Sequence, residues 1–305
     1  MKNIACFDIG GTFIKYGVVN ETGKILYKGK FESPKTDCKN TIPRDLIKKI
    51  KEMQEKYEIH AVGISTPGNV DSKNGEIIFA SDNLPGYTGA KLSESIKNET
   101  NLDCYVENDV NAAALGELWL GAGRGKDTFV CIALGTGIGG AIIINNKIYK
   151  GIGQGAGEIG HTTIDIHGEK CACGGTGCYE RYGSTSALIR NYAALANINV
   201  SEINGEEIID RVKKGESLAV KVYEKFINNV AIGIVNLVHL LDPGIVIIGG
   251  GISAQGKPFF DKISSRFKEM VMPSYSNYTK IVQAELRNDA GIIGAAYNAL
   301  NNENV

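Results

Sequence analysis

Three of the seven cysteines in this 305-residue chain fall within eight positions, in Cys-Ala-Cys-Gly-Gly-Thr-Gly-Cys-Tyr-Glu at 171–180. Gly174, Gly175 and Gly177 let the backbone fold back, so the thiolates of Cys171, Cys173 and Cys178 can face one point. Zinc takes four tetrahedral ligands, and the nearest fourth is His161 of Gly-Glu-Ile-Gly-His, ten residues before Cys171. A Cys3His set would be closed and therefore structural. Two other readings compete with it. A disulfide is disfavoured by the expected cytoplasmic location and the odd cysteine count, and Cys-x-Cys is not the Cys-x-x-Cys of thioredoxin-like redox chemistry, whereas three unligated core thiols stay open. Cys6, Cys38, Cys104 and Cys131 show no such pattern and read as ordinary buried or half-buried thiols. A metal clip would matter for what it positions. Glu180 follows Cys178 by two residues, Glu158 precedes His161 by three, and the imidazole keeps a second nitrogen. Two carboxylates and an imidazole can read several hydroxyls of a sugar.

Two glycine-threonine turns offer phosphate chemistry. Asp-Ile-Gly-Gly-Thr-Phe-Ile-Lys (8–15) places Gly10, Gly11 and Thr12 between two apolar stretches, and Leu-Gly-Thr-Gly-Ile-Gly-Gly (134–140) repeats the arrangement with Gly135, Thr136 and Gly137. Exposed N–H groups and the Thr hydroxyls can hold phosphate oxygens there; a tight β-turn without ligand is the plainer alternative for either turn alone. Asp8 could hold Mg2+ through water, and Lys15 could meet a phosphate. Residues 135–140 formally match Gly-x-Gly-x-x-Gly, with Glu158 mimicking a ribose-binding acid. That fingerprint needs a helix to start at the glycines, and the apolar, β-rich residues that follow predict a strand.

These residues need elements to hold them. The flanks of each turn read as a β-hairpin, so two related lobes are expected. Residues 59–68 and 104–109 predict buried strands, the second ending in acids where a helix begins, with Asn108 or Asp109 at its cap. Residues 218–243 have helical spacing that becomes apolar on nearly every face after Val230, and Asp242-Pro243 ends the helix. Ile-Val-Ile-Ile-Gly-Gly-Gly (245–251) reads as a central strand buried on both faces, and the last segment as a closing helix. Residues 71–75 and 200–217 are polar enough to be surface loops. Alternating strands and helices imply an α/β fold with mixed sheets flanked by helices.

Composition restricts the partners. With 43% hydrophobic and 22% charged residues and a net charge of −1, the chain carries no basic footprint for nucleic acid or anionic lipid. No run of 18 or more apolar residues suggests a membrane span. The first residues lack a signal-peptide layout, so a cytoplasmic protein acting on small molecules is expected.

In family order, "DIGGTFIK", "ENDVNAAALGE", "LGTGIGG", "GEIGH" and "CACGGTGCYE" resemble the motifs of the ROK sugar kinases, and "IIGGGIS" resembles their adenosine-side turn. The resemblance spans essentially the whole chain. It implies the two-lobed actin/hexokinase-like (ribonuclease H-like) fold, with 1–116 plus 290–305 as the small lobe and 117–289 as the large one. It implies ATP-dependent phosphorylation of a hexose 6-hydroxyl, glucose first, with N-acetylmannosamine, N-acetylglucosamine, fructose or allose as alternatives. Asp109 would be the general base. Gly68, Asn108, Glu158, His161 and Glu180 would bind the sugar, and His161, Cys171, Cys173 and Cys178 structural Zn2+. Asp8, Gly10, Gly11, Thr12, Lys15, Gly135, Thr136, Gly137, Gly250 and Gly251 would serve ATP and Mg2+. Lobe closure and a homo-dimer or homo-tetramer are also implied. Relatives that act as sugar-responsive repressors resemble this chain plus an N-terminal helix-turn-helix, for which Asp8 already in the phosphate turn leaves no room. Helix capping by Asp109 alone is the competing reading of that residue. An ATPase or chaperone of the same broad fold is a further alternative, against which the sugar motif argues.

Overall fold

The computed structural model describes residues 1–302, which form two compact units. The first takes Met1–Asp127, Asn146–Ala156 and the chain from Glu285 on; the second takes Thr128–Asn145 and Gly157–Ala284. Among the described residues no helix is long and apolar enough to cross a membrane.

The first unit is built on a mixed sheet. Strands β1 (Asn3–Ile9), β2 (Phe13–Asn20) and β3 (Ile25–Glu32) form an antiparallel meander, with Asp8 opposite Lys15. After helix α1 (Cys38–Gln54), strand β4 (Ala61–Thr66) pairs parallel to β1. A small hairpin, β5 (Asn69–Asp71) and β6 (Glu76–Phe79), and helix α2 (Leu92–Thr100) lead to β7 (Asp103–Asn108), parallel to β4. The order is β3-β2-β1-β4-β7. One face packs Phe7, Ile9, Val18, Ile42 and Leu46; the other packs Ile4, Cys6 and Val19 against Ile292, Ala295 and Ala299 of the closing helix Ala290–Asn302. Helix α3 (Asp109–Leu120) follows β7 without a linker and crosses the closing helix at backbone contact. A Cβ on Gly294 would sit 1.6 Å from the Ala112 carbonyl oxygen, so only glycine permits that crossing.

A carboxylate locks the same junction. Glu117 is 2% exposed, and its oxygens accept the backbone N–H groups of Ala122 (2.8 Å), Glu285 (3.1 Å) and Leu286 (2.9 Å). Glu117→Ala would leave three part-buried N–H donors without their acceptor, at a cost of about 3 kcal/mol. The expected result is a drop of at least roughly 6 °C in the thermal midpoint. An unchanged midpoint would remove this anchor from the account.

In the second unit, β8 (Phe129–Leu134) and β9 (Ile138–Ile144) form the second hairpin. The two-residue β10 (Lys147–Ile148) belongs to the first unit's 146–156 segment. Helices α4 (Glu180–Gly183), α5 (Thr185–Ala196), α6 (Gly205–Lys213) and α7 (Ser217–Leu241) precede β11 (Ile245–Gly249). Strand β11 is central, parallel to both β8 and β12 (Lys280–Gln283). Its buried core residues Val246, Ile247 and Ile248 account for the unbroken apolar run. From Val230 to Val238, α7 buries residues on almost every face, and it stops where Asp242 adopts φ 43° before Pro243. Residues 200–217 correct the sequence reading: they are not a loop but hold a 3-10 turn (Val200–Glu202) and α6. The signal was present in Asn204-x-x-Glu207, a capping box that satisfies two orphan groups, and in Ile208 and Ile209, which α6 buries. Polarity of the outer face hid both.

Candidate functional site

The two units each carry their own share of the chemistry. In the first, Asp8 is the last residue but one of β1; its Oδ1 accepts from the Ser65 hydroxyl (2.9 Å) and its Oδ2 pairs with Lys15 Nζ (3.1 Å). Lys15 also donates to the Asn288 carbonyl at 3.2 Å, so its ammonium is engaged by protein groups. The turn of Gly10, Gly11 and Thr12 is tied from outside: the Ser33 hydroxyl donates to the Gly10 carbonyl, the Ser33 N–H to that of Thr12 and Lys35 Nζ to that of Gly11.

Where β7 becomes α3, the cap is Asn108. Its Oδ1 accepts from the N–H groups of Val110 (2.9 Å) and Asn111 (3.2 Å), and its Nδ2 donates to the Gly68 carbonyl (3.0 Å). Asp109 is thereby not the cap but the first helical residue, with its Oδ1 accepting from the Val110 N–H (2.9 Å) that Asn108 also engages. Gly68 is held at φ 103°, where a Cβ would lie 2.4 Å from the Phe79 carbonyl oxygen. A pocket of about 120 Å³ opens beside Asp109, lined also by Gly10, Gly11, Ser81 and Asn83. Sequence reasoning missed Ser81 and Asn83, although Ser-Asp-Asn-Leu-Pro-Gly at 81–86 has turn composition. Burial, reinforced by the Asp8 charge, lifts the Asp109 carboxyl to about 6 against the opposing Val110 hydrogen bond. A half-buried carboxylate poised there can take a proton near neutral pH.

In the second unit the turn Gly135–Gly137 joins two strands, so the helix that a dinucleotide fingerprint requires is missing at this position. The Gly137 position is tight: a Cβ there would come within 2.6 Å of Glu180 Oε2. Gly250, at φ 90°, brings the turn after β11 against the Leu134 carbonyl. Gly135, Thr136 and Gly251 line a pocket of about 620 Å³, completed by Thr185, Asn204, Glu206, Lys213 and Gln255 among others. The part of that wall built by α6 and its cap, Asn204, Glu206 and Lys213 among them, went unnoticed in the sequence because α6 was read as loop.

The cysteine loop and the His161 turn meet. The imidazole Nδ1 lies 3.8 Å from Cys171 Sγ and Cys173 Sγ lies 3.5 Å from Cys178 Sγ, with one donor atom from each of the four residues within 4.8 Å of every other. A tetrahedron with zinc–sulfur bonds of about 2.3 Å has edges of about 3.8 Å, so the donor set fits such an ion. Backbone bonds from Cys171 N–H to the Gly175 carbonyl and from Gly174 N–H to that of Cys171 shape the loop. The other imidazole nitrogen, Nε2, faces Glu158 Oε2 at 3.9 Å, and Glu180 Oε1 stands 3.8 Å from Nδ1. Thus Glu158, His161 and Glu180 are brought together. Tyr179, unremarked in the sequence, anchors the assembly. It is fully buried, donates from its hydroxyl to the Val230 carbonyl (2.9 Å), and occupies space that any Cβ on Gly233 would take.

Comparison with known proteins shows the family. The model of the family described as ROK matches residues 4–302. The chain is 33% identical over 300 residues to a glucokinase of Thermotoga maritima, covering 95% of this chain and 94% of that protein. It is 32% identical to a beta-glucoside kinase of Listeria monocytogenes, covering 99% and 98%. Among solved structures, a ROK family glucokinase from Streptomyces griseus in complex with glucose and AMPPNP superposes with a TM-score of 0.82 at 34% identity, covering 98% and 99%.

Proposed function

The chain belongs to the ROK family, and on that premise we propose that it transfers the γ-phosphoryl group of ATP to the 6-hydroxyl of a hexose, glucose first. The single observation that carries the reading is Asp109, which leaves the cap to Asn108, stands in a pocket wall and has its carboxyl raised to about 6 by burial. As the sugar oxygen attacks phosphorus, Asp109 accepts the hydroxyl proton and ADP departs. Asn108 retains one amide N–H beyond its bond to Gly68, and Ser81 and Asn83 offer further partners for hydroxyls. Glu158, His161 and Glu180 take the acceptor and donor roles expected of sugar-reading groups. The 620 Å³ pocket, with Thr136 and Gly251 in its wall, is sized for a nucleoside. Asp8 is the residue to hold Mg2+ through water, whose charge would neutralise phosphate oxygens. His161, Cys171, Cys173 and Cys178 would hold zinc, which would supply a cross-link and no reacting group.

The test is sugar-dependent ADP release across a panel of glucose, mannose, fructose, allose, N-acetylglucosamine, N-acetylmannosamine and a β-glucoside. Glucose is expected to give the highest kcat/KM. A different preferred sugar replaces the substrate and keeps the reaction, whereas release that no sugar stimulates overturns the kinase reading.

A further inference from the structure

Glu107 directly precedes the Asn108–Asp109 pair and is only 2% exposed. Its Oε1 accepts from the Asn108 N–H (3.0 Å) and from Asn111 Nδ2 (3.0 Å), while the Ser72 hydroxyl reaches the carboxylate at 3.3 Å. Lys150 Nζ lies 2.6 Å from its Oε2. One carboxylate therefore grips the peptide of the helix cap and a side chain of the first helical turn. Those two holds fix the direction in which the residue between them, Asp109, leaves the strand. A buried carboxylate needs a compensating cation, and Lys150 supplies it from the 146–156 segment, where the Ala156 N–H closes back on the Lys150 carbonyl (3.0 Å).

We propose that the Glu107–Lys150 ion pair is a positioning device for the reaction: Glu107 orients Asp109, and Lys150 keeps Glu107 seated against Asn108 and Asn111. This rests on the reading of Asp109 as the base. Misplacing a reacting group by about 1 Å can cost on the order of 100-fold in rate. An interaction that aligns the base in the transition state should act on kcat while leaving KM nearly alone.

The experiment compares wild type with Lys150→Met, Lys150→Arg, Glu107→Asp and the double variant Glu107→Gln/Lys150→Met, using glucose and ATP. Nucleotide-binding stoichiometry by calorimetry measures the folded fraction. Lys150→Met is expected to lose at least tenfold in kcat, with both KM values within about threefold and stoichiometry unchanged. Lys150→Arg should stay within about threefold of wild type. The double variant, in which no charge is left unpaired, should recover at least fivefold over Lys150→Met. Glu107→Asp keeps the charge but withdraws the oxygens, and it should lose at least tenfold in kcat; it carries the test if Lys150→Met does not fold. A Lys150→Met or Glu107→Asp enzyme within twofold of wild type overturns the proposal, as does a kcat loss that tracks lost stoichiometry. If wild type is active and Asp109→Asn is not, such a result rejects the ion pair alone; an active Asp109→Asn rejects the base itself.

Discussion

Asp109→Asn is expected to fold, to melt at or above the wild-type temperature and to lose on the order of 100-fold to 10,000-fold in kcat. The three outcomes have one cause. Asn108, not Asp109, caps α3, so the amide leaves the helix start intact while removing the proton acceptor. Burial raises the Asp109 carboxyl to about 6, well above its unfolded value, which makes the ionised form a burden on the native state. The sign follows: the carboxyl's contribution to stability is fully present in acid and is lost as pH rises through about 6. At pH 8 wild type therefore carries a cost on the order of 1–3 kcal/mol that the amide variant does not. Activity has the opposite slope. The base must be ionised, so kcat/KM of wild type should fall as pH drops below about 6 and level off above 7. Rate profiles and thermal melts between pH 5 and 8 check both. A variant retaining more than about a tenth of wild-type kcat would remove the base assignment.

Taking away the metal should be the second large effect. Native protein is expected to contain about one zinc per chain, and Cys178→Ser to contain none. Cys178 joins Cys173 at 3.5 Å and is followed directly by Tyr179, whose hydroxyl is bonded to Val230 in the core. Without the proposed ion, the loop between His161 and Glu180 would lose its cross-link and that anchor would be strained. Structural zinc contributes several kcal/mol to the fold it closes, so a fall of roughly 5–15 °C in the thermal midpoint is expected. Sugar affinity should collapse with it, because the proposed sugar-reading groups His161 and Glu180 bound the loop and Glu158 faces the His161 ring, while nucleotide affinity measured by calorimetry should change less than about threefold. Metal-free native protein with an unshifted melt would contradict the zinc assignment.

Much of this was legible in the chain. Apolar stretches on either side of a glycine-threonine turn announced the hairpins that begin with β1 and β8, and the unbroken apolar run of β11 announced a strand buried on both faces, which has no polar position to betray its period. Cysteine spacing located the clip, because ligand geometry constrains sequence strongly. What escaped depended on contacts distant in sequence. The three N–H groups on Glu117 come from residues 122, 285 and 286, and Lys150 reaches Glu107 across 43 positions. No local pattern records such pairs. The choice of Asn108 over Asp109 as cap was likewise decided by the backbone turning at β7, which composition leaves open. Helix α6 was lost for another reason: its charged outer face outweighed two buried isoleucines and a capping box in a reading based on polarity.

The most direct measurement follows the phosphorus. Phosphorus-31 NMR of wild type and Asp109→Asn, each given ATP, Mg2+ and glucose, identifies the product and the group that makes it. The account expects a hexose 6-phosphate signal growing with ADP in wild type and almost none in the variant. A spectrum showing inorganic phosphate in place of a sugar ester, or an ester formed equally by both proteins, would contradict it.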